Sequence, residues 1–238
     1  MAEPFDLSWA AIIDLTQRIG PRTPTWPGDG EVEVEVTATV PDDGYLARRV
    51  TMPEHVATHV DAPAHVPHGA GTVDDIPPGR LVRPAAVIDV RHVVGDDPDA
   101  VIGVDAIAES ESVHGVLEIG DVVLIRTGWD RHADDAAAYI GAGEARCPGL
   151  DLAAAEHLIR RGVVGIGIDT LSVESGASED LAVHHRTLGA GLWHAEGLVG
   201  LDRVPARGAW IVVAPLRLAG GSGAPARVLA LVPPGAGA

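Results

Sequence analysis

This sequence contains no lysine and no asparagine, one glutamine (Gln17) and one cysteine (Cys147). Without lysine there is no Schiff-base amine, Walker lysine or kinase-type lysine; without asparagine there is no N-glycosylation acceptor and no Cys-His-Asn triad. One cysteine excludes an internal disulfide and any site built from several thiolates. Aromatics are scarce, with five Trp, two Tyr and one Phe in 238 residues. Basic residues are few as well: 17 arginines stand against 34 carboxylates, for a formal net charge of −17 at pH 7. That balance offers no footprint for a phosphate backbone and repels anionic membranes. No 18 apolar residues run together, and the opening MAEPFDLSWA has neither the basic nor the apolar part of a leader. The expectation is a cytoplasmic protein with a small-molecule substrate and no nucleic-acid or membrane partner.

What is abundant is the chemistry of oxygen and imidazole. Eleven histidines accompany the carboxylates, and four of them fall between His55 and His68.

Apolar alternation predicts a strand over Glu31 to Val40, with Val32, Val34 and Val36 on one face. Short Val- and Ile-rich runs bounded by Gly, Pro or Asp predict buried strands at Ala11–Leu15, Ala85–Val90, Val122–Thr127, Val163–Ile168, Trp210–Ala214 and Arg227–Val232. Helices are predicted over Leu152–Arg161, with Asp151 as N-cap and Gly162 after it, and more weakly over Val104–Glu109 and Asp130–Ile140. The stretches Pro21–Gly30, Pro63–Gly79 and Gly220–Pro225 read as ordered loops, and residues 1–238 as a single α/β domain.

The segment His55–His65 reads HVATHVDAPAH. Imidazole and carboxylate are the ligand types of zinc or manganese. In an extended strand His55 and His59 would lie roughly 13 Å apart, too far to share an ion, so the chain must bend near Ala57 if both do. His59 and Asp61 can share a face, and Pro63 forces a turn that brings His65 back over them.

These residues resemble the HxGTHxDxPxH signature of the metal-dependent cyclase family, which includes bacterial kynurenine formamidase and isatin hydrolase. TWPGDG at Thr25–Gly30, VIDV at Val87–Val90, GDVVLIRTGW at Gly120–Trp129, GIDT at Gly167–Thr170 and AEGL at Ala195–Leu198 follow in the family's order. The resemblance implies that His55, His59 and Asp61 bind metal and that His65 is the acid/base. It also implies that a distant histidine and Glu196 complete the site. His184 fits the family register best; His185 is the second choice and His194 the third. One departure is Ala57, where the family has glycine, and a positive φ there would strain alanine.

The same resemblance places Trp26 against a planar substrate; Asp169, with Ser172, reads as support behind the site, although an Asp at a strand end can simply cap backbone amides. Cys147 reads as a small buried hydrophobe, and His68, His92, His114, His132 and His157 as surface or helix-face residues. The implied fold is a compact layered β/β/α domain of the swivelling type with a central barrel-like mixed sheet, assembled as a homodimer or homotetramer.

The implied cofactor is one or two divalent ions per subunit, zinc or manganese, which lower the pKa of bound water toward about 7. The implied reaction is hydrolysis of an amide, formamide or lactam in a small aromatic or cyclic compound. The alternatives are a metal-dependent cyclase acting on a small carbonyl compound and a non-catalytic metal- or ligand-binding module.

Overall fold

Short apolar runs punctuated by Gly, Pro and Asp fold here into strands that close on themselves. The computed structural model describes residues 10–66, 70–141, 144–176, 178 and 180–235; His68, the opening segment and the extreme C-terminus lie outside them. The strands are β1 (Ala11–Asp14), β2 (Glu33–Ala38), β3 (Ala47–Thr51), β4 (His59–Asp61), β5 (Val82–Asp89), β6 (Val101–Ile102), β7 (Val122–Arg126), β8 (Gly149–Leu150), β9 (Gly165–Ile168), β10 (Trp193–Glu196), β11 (Ala209–Pro215) and β12 (Gly223–Val232). Seven of them lie side by side in the order β12, β11, β5, β7, β9, β10, β4, and β4 returns to pair with β12. The result is a closed, barrel-like mixed sheet, parallel from β5 to β10 and antiparallel elsewhere. β1 extends the sheet along the far end of β12.

Side chains alternate across this wall. Ala85, Val87, Val122, Leu124, Val60 and Ala195 belong to the core inside the barrel, while Ala86, Ile88, Val123 and Ile125 belong to a second core outside it. Each fully buried Val, Leu or Ile side chain among them contributes about 1.5–3 kcal/mol. Inside, β9 presents glycine: a Cβ on Gly165 would lie 2.5 Å from the Trp193 ring, and one on Gly167 would lie 2.6 Å from Leu124. The outer core is covered by the helix Leu152–Arg161, which buries Ala154, Ala155 and Leu158, and by the helix Val104–His114. Asp151 caps the first of these by accepting the Ala154 amide, and Gly162 closes it in the left-handed region.

β3, β4, β10 and the helix Ala182–Gly189 have no counterpart in the sequence reading, and of the loop expected over Gly220–Pro225 the part Gly223–Pro225 joins β12 by pairing with β4; three further elements differ in extent. The helix begun at Val104 runs past Glu109 to His114, because Glu111 turns inward and is held by Arg161, His157 and the Leu117 amide. The helix expected over Asp130–Ile140 is broken into a 3-10 turn at Trp129–His132 and a single turn at Ala136–Tyr139. Asp135 causes the break, since its side chain accepts the Ala138 amide as a cap does. The strand expected over Glu31–Val40 ends at Ala38, because Thr39 caps a helical turn at Val40–Asp43. It begins at Glu33 and pairs only with β3, outside the barrel, so Val36 stands exposed, while Val32 just before it is buried against Val56 and Ala57.

Candidate metal centre and active site

Alternation decides what β4 and β10 present. With Val60 and Ala195 pointing into the barrel, His59 and Asp61 on one strand and His194 and Glu196 on the other point out together. The antiparallel register sets His194 opposite Asp61 and Glu196 opposite His59, so four polar groups meet on one small patch of wall. The helix Ala182–Gly189 lies over this patch and supplies His184.

His55 arrives from the preceding loop. The bend required near Ala57 is present: Ala57 sits at φ 55, in the left-handed region, and the His55 and His59 ring centroids come to 5.3 Å. Pro63–His65 forms one 3-10 turn that returns the His65 ring to 4.1 Å from that of His55 and 6.2 Å from that of His184.

Distances within the cluster are short. His59 Nε2 lies 3.3 Å from Asp61 Oδ1 and 3.4 Å from Glu196 Oε2. His184 Nε2 lies 3.4 Å from Glu196 Oε1 and 3.8 Å from Asp61 Oδ2. His194 Nδ1 lies 3.6 Å from Asp61 Oδ2, and His55 Nδ1 lies 2.6 Å from Asp61 Oδ1.

The far nitrogen of each ring is tied down by a protein acceptor. His59 Nδ1–H donates to the Ala57 carbonyl at 3.0 Å, and His184 Nδ1–H to Glu174 Oε2 at 3.0 Å. The Thr187 hydroxyl spends its proton on the Val183 carbonyl, so its 2.7 Å contact with His194 must be donated by Nε2–H. Ser222 likewise gives its proton to Glu54, so His55 Nε2–H donates to Ser222. Four imidazoles therefore turn their other ring nitrogens toward two carboxylates.

That donor set fits a divalent cation. His194 Nδ1 is buried and, among the described residues, has no hydrogen-bond partner, as expected of a nitrogen placed for an ion. Asp61 and Glu196 are buried together, at a cost of several kcal/mol each unless compensated, and one divalent ion matches their combined charge. The carboxylates' demand for positive charge shows in the rings. Burial alone would lower the pKa of His59 and of His184, yet hydrogen bonds and charge from Asp61 and Glu196 on the one, and from Glu174 and Glu196 on the other, push both up to about 10. Two overlapping groups are close enough to chelate: Asp61, His184, His194 and Glu196 form one, and His55, His59 and Asp61 the other, with Asp61 in both.

His55, His59, Asp61, His184 and Glu196 are thus brought together, and His65 stands beside them outside both chelating groups. His185 is exposed and turned away. His194, ranked third from sequence, sits fully buried within the cluster; the signal for it was strand alternation, since it lies two residues before Glu196 on the same face. Trp26 lines the cleft above the cluster, a space of about 290 Å³ shared with Asp29, Leu171, Ser172 and Leu181. Asp169 accepts the Thr127 and Gly128 amides and the Thr127 hydroxyl, the plainer of its two readings, while Ser172 reaches the cleft. Cys147 is a buried free thiol whose pKa burial pushes up to about 12.

Comparison with known proteins agrees with this geometry. The Cyclase family model matches residues 13–175. The isatin hydrolase of Roseibium aggregatum is 32% identical, with 93% of this chain and 92% of that protein covered. The kynurenine formamidase of Salinibacter ruber is also 32% identical, over 92% of this chain and 96% of that one. Among solved structures, isatin hydrolase A from Ralstonia solanacearum superposes with a TM-score of 0.86 at 36% identity, covering 94% of this chain and 92% of that one. The chain belongs to the Cyclase family and is a metal-dependent hydrolase acting on carbon–nitrogen bonds.

Proposed function

We propose that this protein hydrolyses the lactam C–N bond of a small aromatic-fused ring, with isatin as the type of substrate. The observation that carries the reading is the convergence of four anchored imidazoles on Asp61 and Glu196 at the floor of a cleft walled by Trp26. Similarity to isatin hydrolases, one of them solved with the product analogue thioisatinate at a TM-score of 0.89, supports the lactam class. The cleft wall carries no arginine among the described residues, so the carboxylate of an open-chain amino-acid formamide would find no counter-charge there. Hydrolysis of an open-chain formamide is the second reading, supported by the similarity to kynurenine formamidases.

His55, His59, Asp61, His184, His194 and Glu196 would hold one or two divalent ions, and the nitrogen and oxygen donors suit zinc or manganese. Such an ion supplies Lewis acidity, polarising the scissile carbonyl and making water acidic near neutral pH. Trp26 offers a flat wall for an aromatic ring, and Leu171 and Leu181 exclude water around it. A His65 ring nitrogen takes the proton from the attacking water and returns it to the leaving nitrogen, so that one water is consumed and the ring opens to a single product bearing both an amine and a carboxylate, whose acid proton passes to solvent.

The whole chain, residues 1–238, acts as one domain on a small molecule. A homodimer or homotetramer is supported by the β2–β3 ribbon and the turn joining it, where Val36, Tyr45, Leu46 and Val50 stand exposed.

Turnover of isatin, N-formylkynurenine and a simple aryl formamide should be measured with added zinc or manganese and with excess chelator. Isatin is expected to be the best substrate, with activity lost to chelator and restored by metal. A preference for N-formylkynurenine would favour the second reading, and full activity in chelator would refute metal-dependent hydrolysis.

A further inference from the structure

The helix that carries His184 starts without an ordinary cap. Its N-cap residue, Leu181, sits at φ 51 and makes no side-chain capping bond, although the left-handed region costs an L-residue roughly 1–2 kcal/mol. The free amides at this end are met from outside the helix. Glu174 Oε1 accepts Val183 N–H at 3.1 Å and Ser178 Oγ–H at 2.7 Å. Glu174 Oε2 accepts His184 N–H at 3.4 Å and the ring Nδ1–H at 3.0 Å.

The segment bearing Glu174 is itself held firmly. Leu150 N–H donates to the Val173 carbonyl at 2.8 Å, and Leu150 bridges to Glu174. Gly149 packs so closely on the Glu174 backbone that no Cβ fits between them. The same segment directs Glu196, whose Oε1 accepts the Val173 amide at 2.8 Å. Two of the cluster's charge-bearing groups are thus aimed by consecutive residues, Val173 and Glu174.

Glu174 also differs in kind from the other ring anchors. His55, His59 and His194 donate to a serine hydroxyl, a backbone carbonyl and a threonine hydroxyl, all neutral. Of these four anchors only that of His184 is a carboxylate, and an ionic acceptor raises the donor strength of the opposite ring nitrogen. Resting on the metal reading above, we propose that Glu174 is a positioning residue: it fixes the direction and donor strength of His184 Nε2, and so sets how tightly the site holds its ion. A carboxylate doing no more than capping the helix would stabilise the fold without touching metal affinity, which separates the two roles.

The test is equilibrium competition for zinc(II) and for manganese(II) between a chromophoric chelator and metal-stripped protein, using the wild type, Glu174→Gln and Ser178→Ala. Melting temperatures of the stripped proteins are read in parallel. Glu174→Gln keeps an acceptor oxygen but loses the charge, and is expected to bind metal about 10- to 100-fold more weakly. Ser178→Ala, which touches the carboxylate but not the imidazole, should remain within about threefold of wild type. Affinity in Glu174→Gln within threefold of wild type, whatever its melting temperature, would reduce Glu174 to a helix cap and overturn the proposal. A wild type that binds neither metal would overturn the metal reading itself, and this proposal with it. Should Glu174→Gln not fold, nitrogen NMR of the zinc-loaded wild type still decides: the His184 proton is expected on Nδ1, and a proton on Nε2 overturns the proposal.

Discussion

Glu196 on β10 and His59 on β4 stand opposite each other across an antiparallel pair, Oε2 3.4 Å from Nε2, both on the outer face of the barrel. The two motifs that carry them imply a shared site, but only the fold closes the distance along the chain. A slip of one residue in the register would turn one of the two into the apolar interior, so the pairing of two short strands decides whether the site exists.

Asp61 is the residue shared by both chelating groups. Asp61→Asn should therefore empty the whole centre, with a loss of affinity beyond the roughly 10- to 100-fold of an outer-shell change. Elemental analysis after desalting checks this; stoichiometric metal in the variant would show that Asp61 is not a ligand.

The histidines should divide into two sets. His59→Ala, His184→Ala and His194→Ala are expected to lose metal, His185→Ala to keep both metal and activity, and His65→Ala to keep metal while turnover falls by about 10²- to 10⁴-fold. Metal content and rate measured on the same preparations check the division, and equal metal loss in His65→Ala would make it a ligand.

Ala57 occupies the left-handed bend between His55 and His59, where an alanine is strained by about 1–2 kcal/mol. Ala57→Gly removes that strain at the expense of backbone entropy and should leave the melting temperature unchanged or slightly raised. Ala57→Val, β-branched and buried, should lower it clearly; thermal melts of the two variants must differ in this direction.

Gly165 faces the barrel interior with the Trp193 ring where a Cβ would go. Gly165→Ala should destabilise by about 1–3 kcal/mol, the usual cost of overpacking, read from denaturant midpoints at unchanged slope. Gly189→Ala, with nothing within 4 Å of the added atom, is the matched control and should be nearly neutral.

Glu111 ties two helices together far from the cleft. Burial raises its pKa, but Arg161, the Leu117 amide and His157 outweigh that, and the net position is below the ordinary 4.5. A depressed carboxylate contributes stability that is present above its unfolded value and lost as pH falls through the folded one. Wild type should therefore melt above Glu111→Gln at pH 7, with the gap closing below about pH 4. The carboxylates of the metal centre are common to both proteins, so the difference isolates Glu111; a gap independent of pH would contradict the assignment.

Much of this was determined by the sequence alone. Local chemistry marked Asp151 and Gly162 as the ends of a helix, the Val- and Ile-rich runs as strands, and Ala57 and Pro63 as the bends that gather His55, His59, Asp61 and His65. Those features act within a few residues, where spacing and backbone preference suffice. The tertiary structure decided what depends on partners distant in the chain. It chose His184 over His185 by burying one face of a helix, and it brought in His194 through the register of β4 on β10. It set Glu174, Thr187 and Ser222 behind three of the rings, and it placed the site outside the barrel because β4 and β10 turn Val60 and Ala195 inward. Contacts between groups 167 residues apart, as His55 and Ser222 are, follow from closure of the sheet, and closure leaves no periodic trace in any one segment.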